Sequence, residues 1–316
     1  MNPRIPRIPE SSALPHSPGE WTERTLIRDG VRLSLRDWHR HHPDENPEET
    51  PEALAPATPG KRSGRAPLLL LHGLAGHAGE WDGIARRLRA DGHRVVALDQ
   101  RGHGASERRP RDVTREAYVA DVLTVIDRLG LHRPVLIGQS YGGHAALLAA
   151  AAHSARLSGA VLVEAGPAGT APGTVAEVGD WLRAWPVPFP TREAAVAYLG
   201  GGPVGEGWAD GLEVRDDGLW PRFDPEVLAA ALAENSGRDR WKEWAAIGVP
   251  VLAVLGRRGI VSTEQYGGMA ERQPARLHGV GIPDAGHDLH LEQPGVLHAV
   301  LRDFLSQIPY GLPDPR

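Results

Sequence analysis

The sequence predicts an α/β fold: a mostly parallel sheet with helices on both faces and a helical segment inserted late in the chain. Three observations predict it. Short, fully apolar runs alternate with stretches of helical periodicity, the pattern of strands buried on both faces by crossover helices. The runs end in corners that carry glycine and a polar side chain: His72-Gly73, Asp99, Gly138 to Gly142, Glu164 and Gly256. Residues 167–246 then break the alternation and concentrate tryptophan, with Trp181, Trp185, Trp208, Trp220, Trp241 and Trp244.

Taken in order, residues 1–20 are proline-rich with little to bury and predict a flexible lead-in. Glu23 to Trp38 reads as a β-hairpin around Asp29-Gly30. A segment rich in Pro, Glu and small residues follows, and residues 40–65 are expected to be a disordered insertion. Its neighbouring His39, His41 and His42 lack carboxylate or thiolate partners at metal-ligand spacing and read as solvated. Pro67 to Leu71 predicts a buried strand, residues 79–91 a helix with Trp81, Ile84 and Leu88 on one face, and Arg94 to Leu98 the next strand. Thr114 to Leu129 predicts a helix closed by Gly130. A strand into Ser140, an alanine-rich helix, and a strand from Leu157 to Val163 complete the first half. Residues 167–246 are expected to form a lid. Core elements 21–166 and 247–310 flank it, the second with strands at Val249 to Leu255 and Ala275 to Val280 and a closing helix to Gln307.

Composition excludes several functions. The net charge of -5 gives no electrostatic case for nucleic acid, and the basic residues form no stripe. No cysteine is present, so disulfides and thiolate metal sites are ruled out. No run of about 18 apolar residues occurs and the N-terminus has no apolar signal core, which predicts a cytoplasmic protein with no membrane partner. No phosphate loop and no dinucleotide fingerprint after a strand are present. The expectation is a cofactor-free, metal-free protein, monomer or homodimer, acting on a small molecule.

The chemistry centres on Gly138-Gln-Ser140-Tyr-Gly142, the G-x-S-x-G spacing of a nucleophile elbow. A serine on a sharp strand-to-helix turn is exposed and strained, and glycines two residues away on either side let the chain fold back. A serine hydroxyl needs a base and a group that orients it. His287, after Gly286 in the loop before the last helix, is the expected base, with His290 as its rival. Glu164, ending the strand after the elbow, is the expected acid, with Asp284, Asp288 and Glu264 as alternatives. The main-chain amides of Leu74 and Tyr141 are the expected oxyanion donors, by position alone. His72, Trp81, Trp181, Trp185, Trp208 and Trp220 are expected to wall a substrate pocket that favours apolar or aromatic groups.

His72-Gly73, Asp99-x-Arg101-Gly102-x-Gly104-x-Ser106, the elbow and Gly286-His287-Asp288, in this order, resemble the α/β-hydrolase superfamily over roughly residues 21–308. The resemblance implies that fold and a Ser-acid-His catalytic triad. Its commoner members place the acid after the strand before the histidine, where this chain has Gly259. Glu164 is similar to the placement in some haloalkane dehalogenases, but those enzymes and epoxide hydrolases use an aspartate nucleophile, so Ser140 points to acyl transfer to water. The expected reaction is hydrolysis of a carboxylic ester, lactone or thioester through an acyl-enzyme. Carbon-carbon bond hydrolysis with the same triad and a weakly catalytic ligand-binding protein are the alternatives.

Overall fold

The computed structural model describes residues 20–38, 64–273 and 275–310. The predicted lead-in and the insertion at 40–65 lie almost wholly outside the described residues, as do His39, His41 and His42. An eight-stranded sheet organises the rest. Its strands are β1 Thr22–Arg28, β2 Val31–Trp38, β3 Leu68–Leu71, β4 Val95–Asp99, β5 Val135–Gln139, β6 Gly159–Val163, and, after an interruption, Val251–Gly256 and Leu277–Ile282. The hairpin forms as expected, with Asp29 at φ +50° and Gly30 at φ +79° in its turn. It adds to the sheet antiparallel through β2 against β4. The pairs beyond it are all parallel.

β3 to β6 have no exposed residue, because helices cover both faces. One face carries α1 (Asp82–Ala90) and the closing helix Pro294–Ser306, and the other carries α2 (Arg115–Arg128) and α3 (Ser140–Ala152). The α2 turn starts where the Thr114 side chain accepts from the Ala117 amide, the N-cap geometry that a threonine before an apolar run supplies. The predicted 79–91 helix is split: a 3₁₀ turn at Ala78–Trp81 precedes α1. The last strand runs two residues later than Ala275 to Val280.

Between β6 and the strand Val251–Gly256 come α4 (Pro172–Arg183), α5 (Arg192–Tyr198), α6 (Gly202–Ala209), the hairpin β7 (Glu213–Arg215) and β8 (Gly218–Trp220), α7 (Pro225–Ala233) and α8 (Trp241–Ala246). The resumed sheet strands are therefore β9 and β10, followed by α9 (Thr263–Arg272), α10 (Leu289–Glu292) and α11 (Pro294–Ser306). The inserted segment is not all helical, since β7 and β8 pair. It has its own apolar cluster, with Leu182, Trp185, Phe189, Phe223 and Leu228. Trp244 instead is fully buried in the main core beside α3, donating its indole N–H to the Met269 carbonyl at 3.0 Å. Among the described residues no helix is long and apolar enough to cross a membrane.

Candidate active site

Ser140 begins α3 directly after β5, with φ +48°. The left-handed region costs a non-glycine residue about 1–3 kcal/mol, strain that persists only where the surroundings impose it. The flanking glycines are required by close approach: a Cβ on Gly138 would overlap the Gly142 carbonyl, and one on Gly142 would overlap the carbonyls of Leu71 and His72. Gly73 packs against the Gln139 amide, and a Cβ there would stand 3.6 Å from the Ser140 Cβ, so the β3 loop lies directly beside the serine.

Glu164 shows a second strained corner, at φ +50° just past the neighbouring strand β6. Its carboxylate is fully buried and accepts two main-chain hydrogen bonds, from the amides of Gly256 and Ile260, each at 2.6 Å. Gly259 lies between those donors. A Cβ at 259 would overlap both Glu164 carboxylate oxygens. The glycine at 259 and the carboxylate at 164 are thus one steric feature: the space beside the loop after β9 is filled by a carboxylate that arrives from β6. Gly259→Ala is expected to expel the carboxylate, lowering stability by about 2–3 kcal/mol through loss of charge-assisted hydrogen bonds. A denaturant melt checks this, and a change below ~0.5 kcal/mol contradicts it.

Nδ1 of His287 stands 3.8 Å from Glu164 Oε2, with about a third of its side chain exposed. That is longer than a hydrogen bond and short enough for an ion pair once the ring is protonated. Gln139, adjacent to the serine, donates its side-chain N–H to the His287 carbonyl at 3.0 Å. Gln139 therefore joins the elbow, the Gly73 loop and the His287 loop. No motif marked it, because its role is packing and a main-chain hydrogen bond.

Of the other candidates for base and acid, only Asp288 borders the cavity that holds Ser140 and His287. His290 is fully buried and its Nε2 lies 3.2 Å from Glu80 Oε2. Burial pushes the Glu80 carboxyl up to about 7 and the His290 imidazole down to about 4, favouring the neutral form of each. Glu264 lies in the first turn of α9, and Asp284 has φ +59° in the loop after β10. Asp288 borders the cavity, and burial raises its carboxyl above the usual range. Neither Asp284 nor Glu264 borders the cavity.

That cavity, about 810 Å³, brings Ser140, Glu164 and His287 together with Leu74 and Tyr141. Trp181 and Trp208 reach it from the inserted segment, their rings edge to face at 5.7 Å. The other expected wall residues do not border it. Trp81 is fully buried in the core under α1, Trp185 lies within the inserted segment's own cluster, and Trp220 is half-buried on β8 with its N–H on Asp217 at 2.8 Å. His72 is buried rather than lining: Nδ1 donates to the Gly73 carbonyl at 2.7 Å and Nε2 accepts from the Gln100 amide at 3.0 Å. Desolvation holds it neutral, with its pKa lowered to about 3. Sequence alone does not tell a tryptophan facing a cavity from one facing a core at the same helical period.

The Asp99 to Ser106 motif is structural. The Asp99 carboxylate accepts from the amides of Ala78 at 2.6 Å and Ala105 at 2.9 Å, and a Cβ at Gly104, φ +54°, would overlap it. Arg101 forms a two-point buried pair with Asp121, at 2.6 and 2.7 Å.

The sheet, in the order β1-β2-β4-β3-β5-β6-β9-β10, with the strained Ser140 at the end of β5 and Glu164 and His287 beyond neighbouring strand ends, has the α/β-hydrolase architecture, and the chain belongs to the α/β-hydrolase fold family. The family model for the alpha/beta hydrolase fold matches residues 66–201. The sn-1-specific diacylglycerol lipase ABHD11 of Mus musculus is 35% identical over 261 residues, covering 76% of this chain and 80% of that protein. Esterase YbfF of Escherichia coli K12 is 29% identical over 245 residues, 76% of this chain and 93% of that protein. Two further relatives, a phage D29 protein named for non-heme haloperoxidase and the Xenopus tropicalis ABHD11 lipase, match over only 36% and 34% of their own length. Among solved structures, E-2-(acetamidomethylene)succinate hydrolase superposes with TM-score 0.75 at 21% identity, covering 90% of this chain and 99% of that one, which is a likeness of fold. A thermophilic esterase from Thermogutta terrifontis gives 0.66 at 25% identity, covering 92% and 99%.

Proposed function

We propose that this chain is a serine hydrolase that cleaves a carboxylic ester, or a related lactone or thioester, through an acyl-enzyme. The observation that carries the reading is the strained Ser140 opening into the same cavity as His287 and the buried Glu164 carboxylate. The relatives named as lipase and esterase support it.

In this reading Ser140 Oγ attacks the ester carbonyl while His287 Nε2 takes the hydroxyl proton. Glu164, held by two amides, keeps the Nδ1 proton of His287 in place and stabilises the imidazolium. The tetrahedral oxyanion is held by the Leu74 amide and by the Tyr141 amide in the first turn of α3, where the helix dipole adds to the donor. Collapse expels the alkoxide, which takes the proton from His287. A water then attacks the acyl-enzyme by the same steps, returning the proton to Ser140. The inserted segment serves as the lid, with Trp181 and Trp208 against the apolar part of the substrate.

With 4-nitrophenyl esters of short and medium acids, the expected result is turnover preceded by a burst of nitrophenol of up to one equivalent per chain. No turnover across the panel would remove the ester reading.

A further inference from the structure

The cavity is electrically lopsided. At its His287 end stand the carboxyl groups of Glu164 and Asp288, while Glu80 is paired with His290. Along α3, past Ser140 and Tyr141, the polar side chain that borders the cavity is His144. His144 borders the cavity one helical turn past Ser140, about 6 Å along the axis at 1.5 Å per residue. It is 94% buried by its 6% exposure, and neither of its ring nitrogens has a hydrogen-bond partner. Arg115, from the start of α2, is fully buried behind it and pairs with no carboxylate among the described residues. Its guanidinium lies 4.0 Å over the Tyr141 ring, and its Nη2 donates to the Tyr141 carbonyl at 3.0 Å. Its Nε and Nη1 have no partner, and neither has Nε of Arg240, whose Nη1 bonds Glu243 at 3.0 Å.

An orphaned buried polar group costs about 1–3 kcal/mol, and a buried unpaired charge costs more. The Arg115 cation has only aromatic faces and one carbonyl against it. Burial, then the charges of Arg115 and Arg240, hold the His144 imidazole well below its usual range, so the ring is neutral with one N–H and one lone pair unused. An anion beside His144 would accept that N–H and sit in the field of Arg115, whereas at the His287 end it would face the Glu164 carboxylate.

We propose that the substrate is an ester bearing a carboxylate, seated against His144 in the field of Arg115. The proposal rests on the ester-hydrolase reading for its chemistry, but the carboxylate subsite is tested by binding alone. The carboxylate is carried on either the acyl or the alcohol side of the ester, and the probes separate the two.

The test titrates Ser140→Ala protein calorimetrically with monomethyl glutarate (carboxylate on the acyl side), the methyl ester of 4-acetoxybutyrate and its free acid (carboxylate on the alcohol side), dimethyl glutarate and methyl pentanoate. Expected is at least ten-fold tighter binding of one free carboxylate than of its methyl-capped partner and of methyl pentanoate. That preference is expected to fall at least five-fold in Arg115→Met and in His144→Gln, each also carrying Ser140→Ala. Equal binding of capped and free probes overturns the subsite, whether or not the variants fold, because the comparison is complete within Ser140→Ala. An unchanged preference in both folded variants overturns the assignment to these residues. Selective binding with no ester turnover by the wild-type chain would keep the subsite and remove the hydrolase reading; turnover without selectivity would do the reverse.

Discussion

Ser140→Ala is expected to lower kcat on an activated ester by about 10⁶-fold, the scale set by removing the nucleophile of a serine triad elsewhere. The adjacent hydroxyl does not replace it: Tyr141 turns its ring away, its OH donating to the Ala231 carbonyl at 3.2 Å. The residual rate would come from the Leu74 and Tyr141 amides holding the oxyanion while water attacks. Alanine also fits the site. It adds no atom to the crowded elbow and carries the same positive φ as serine does, so the melting temperature is expected to stay within about 3 °C of wild type. A loss of activity below ten-fold would mean that another group attacks.

Glu164→Gln is expected to lower kcat by about 10⁴-fold with little change in KM, the size of effect seen when a triad carboxylate becomes an amide and the histidine takes the wrong tautomer. The structure gives a second reason here. Both carboxylate oxygens accept main-chain N–H groups, from Gly256 and Ile260, so the amide NH₂ of glutamine must oppose one of them. That opposition leaves a buried donor unmatched, worth about 1–3 kcal/mol of stability, and pushes the side chain away from His287. Kinetics alongside a denaturant melt separate the two effects: kcat falls by orders of magnitude while the chain remains folded. Activity near wild type would move the orienting role to another carboxylate, Asp288 first, since it borders the same cavity.

The strand ends were legible in the sequence because they obey local rules. Four short, mainly apolar runs bounded by turn residues read as buried strands, and the glycines around Ser140 are required by backbone overlaps that a five-residue pattern encodes. The bearing of Gly259 was not legible. In sequence it reads as a missing aspartate, and only the fold shows that its empty side is filled by Glu164, 95 positions earlier in the chain (259 minus 164). The pocket walls were the least legible. Trp81 and Trp181 both sit at helical spacing, yet one is sealed in the core and the other borders the cavity, which depends on what packs against each helix. Gln139 and Arg115 carried no pattern either. One acts through a main-chain carbonyl, and the other stands out only by the partners it lacks.

An activated Ser140 is expected to react with a fluorophosphonate probe, which requires no knowledge of the substrate. Wild-type protein treated with the probe and digested is predicted to carry one phosphonyl adduct, on the peptide containing Ser140, with labelling slowed by orders of magnitude in Glu164→Gln and absent in Ser140→Ala. An unmodified Ser140 peptide in the folded wild-type protein, or an adduct on another residue, would contradict it.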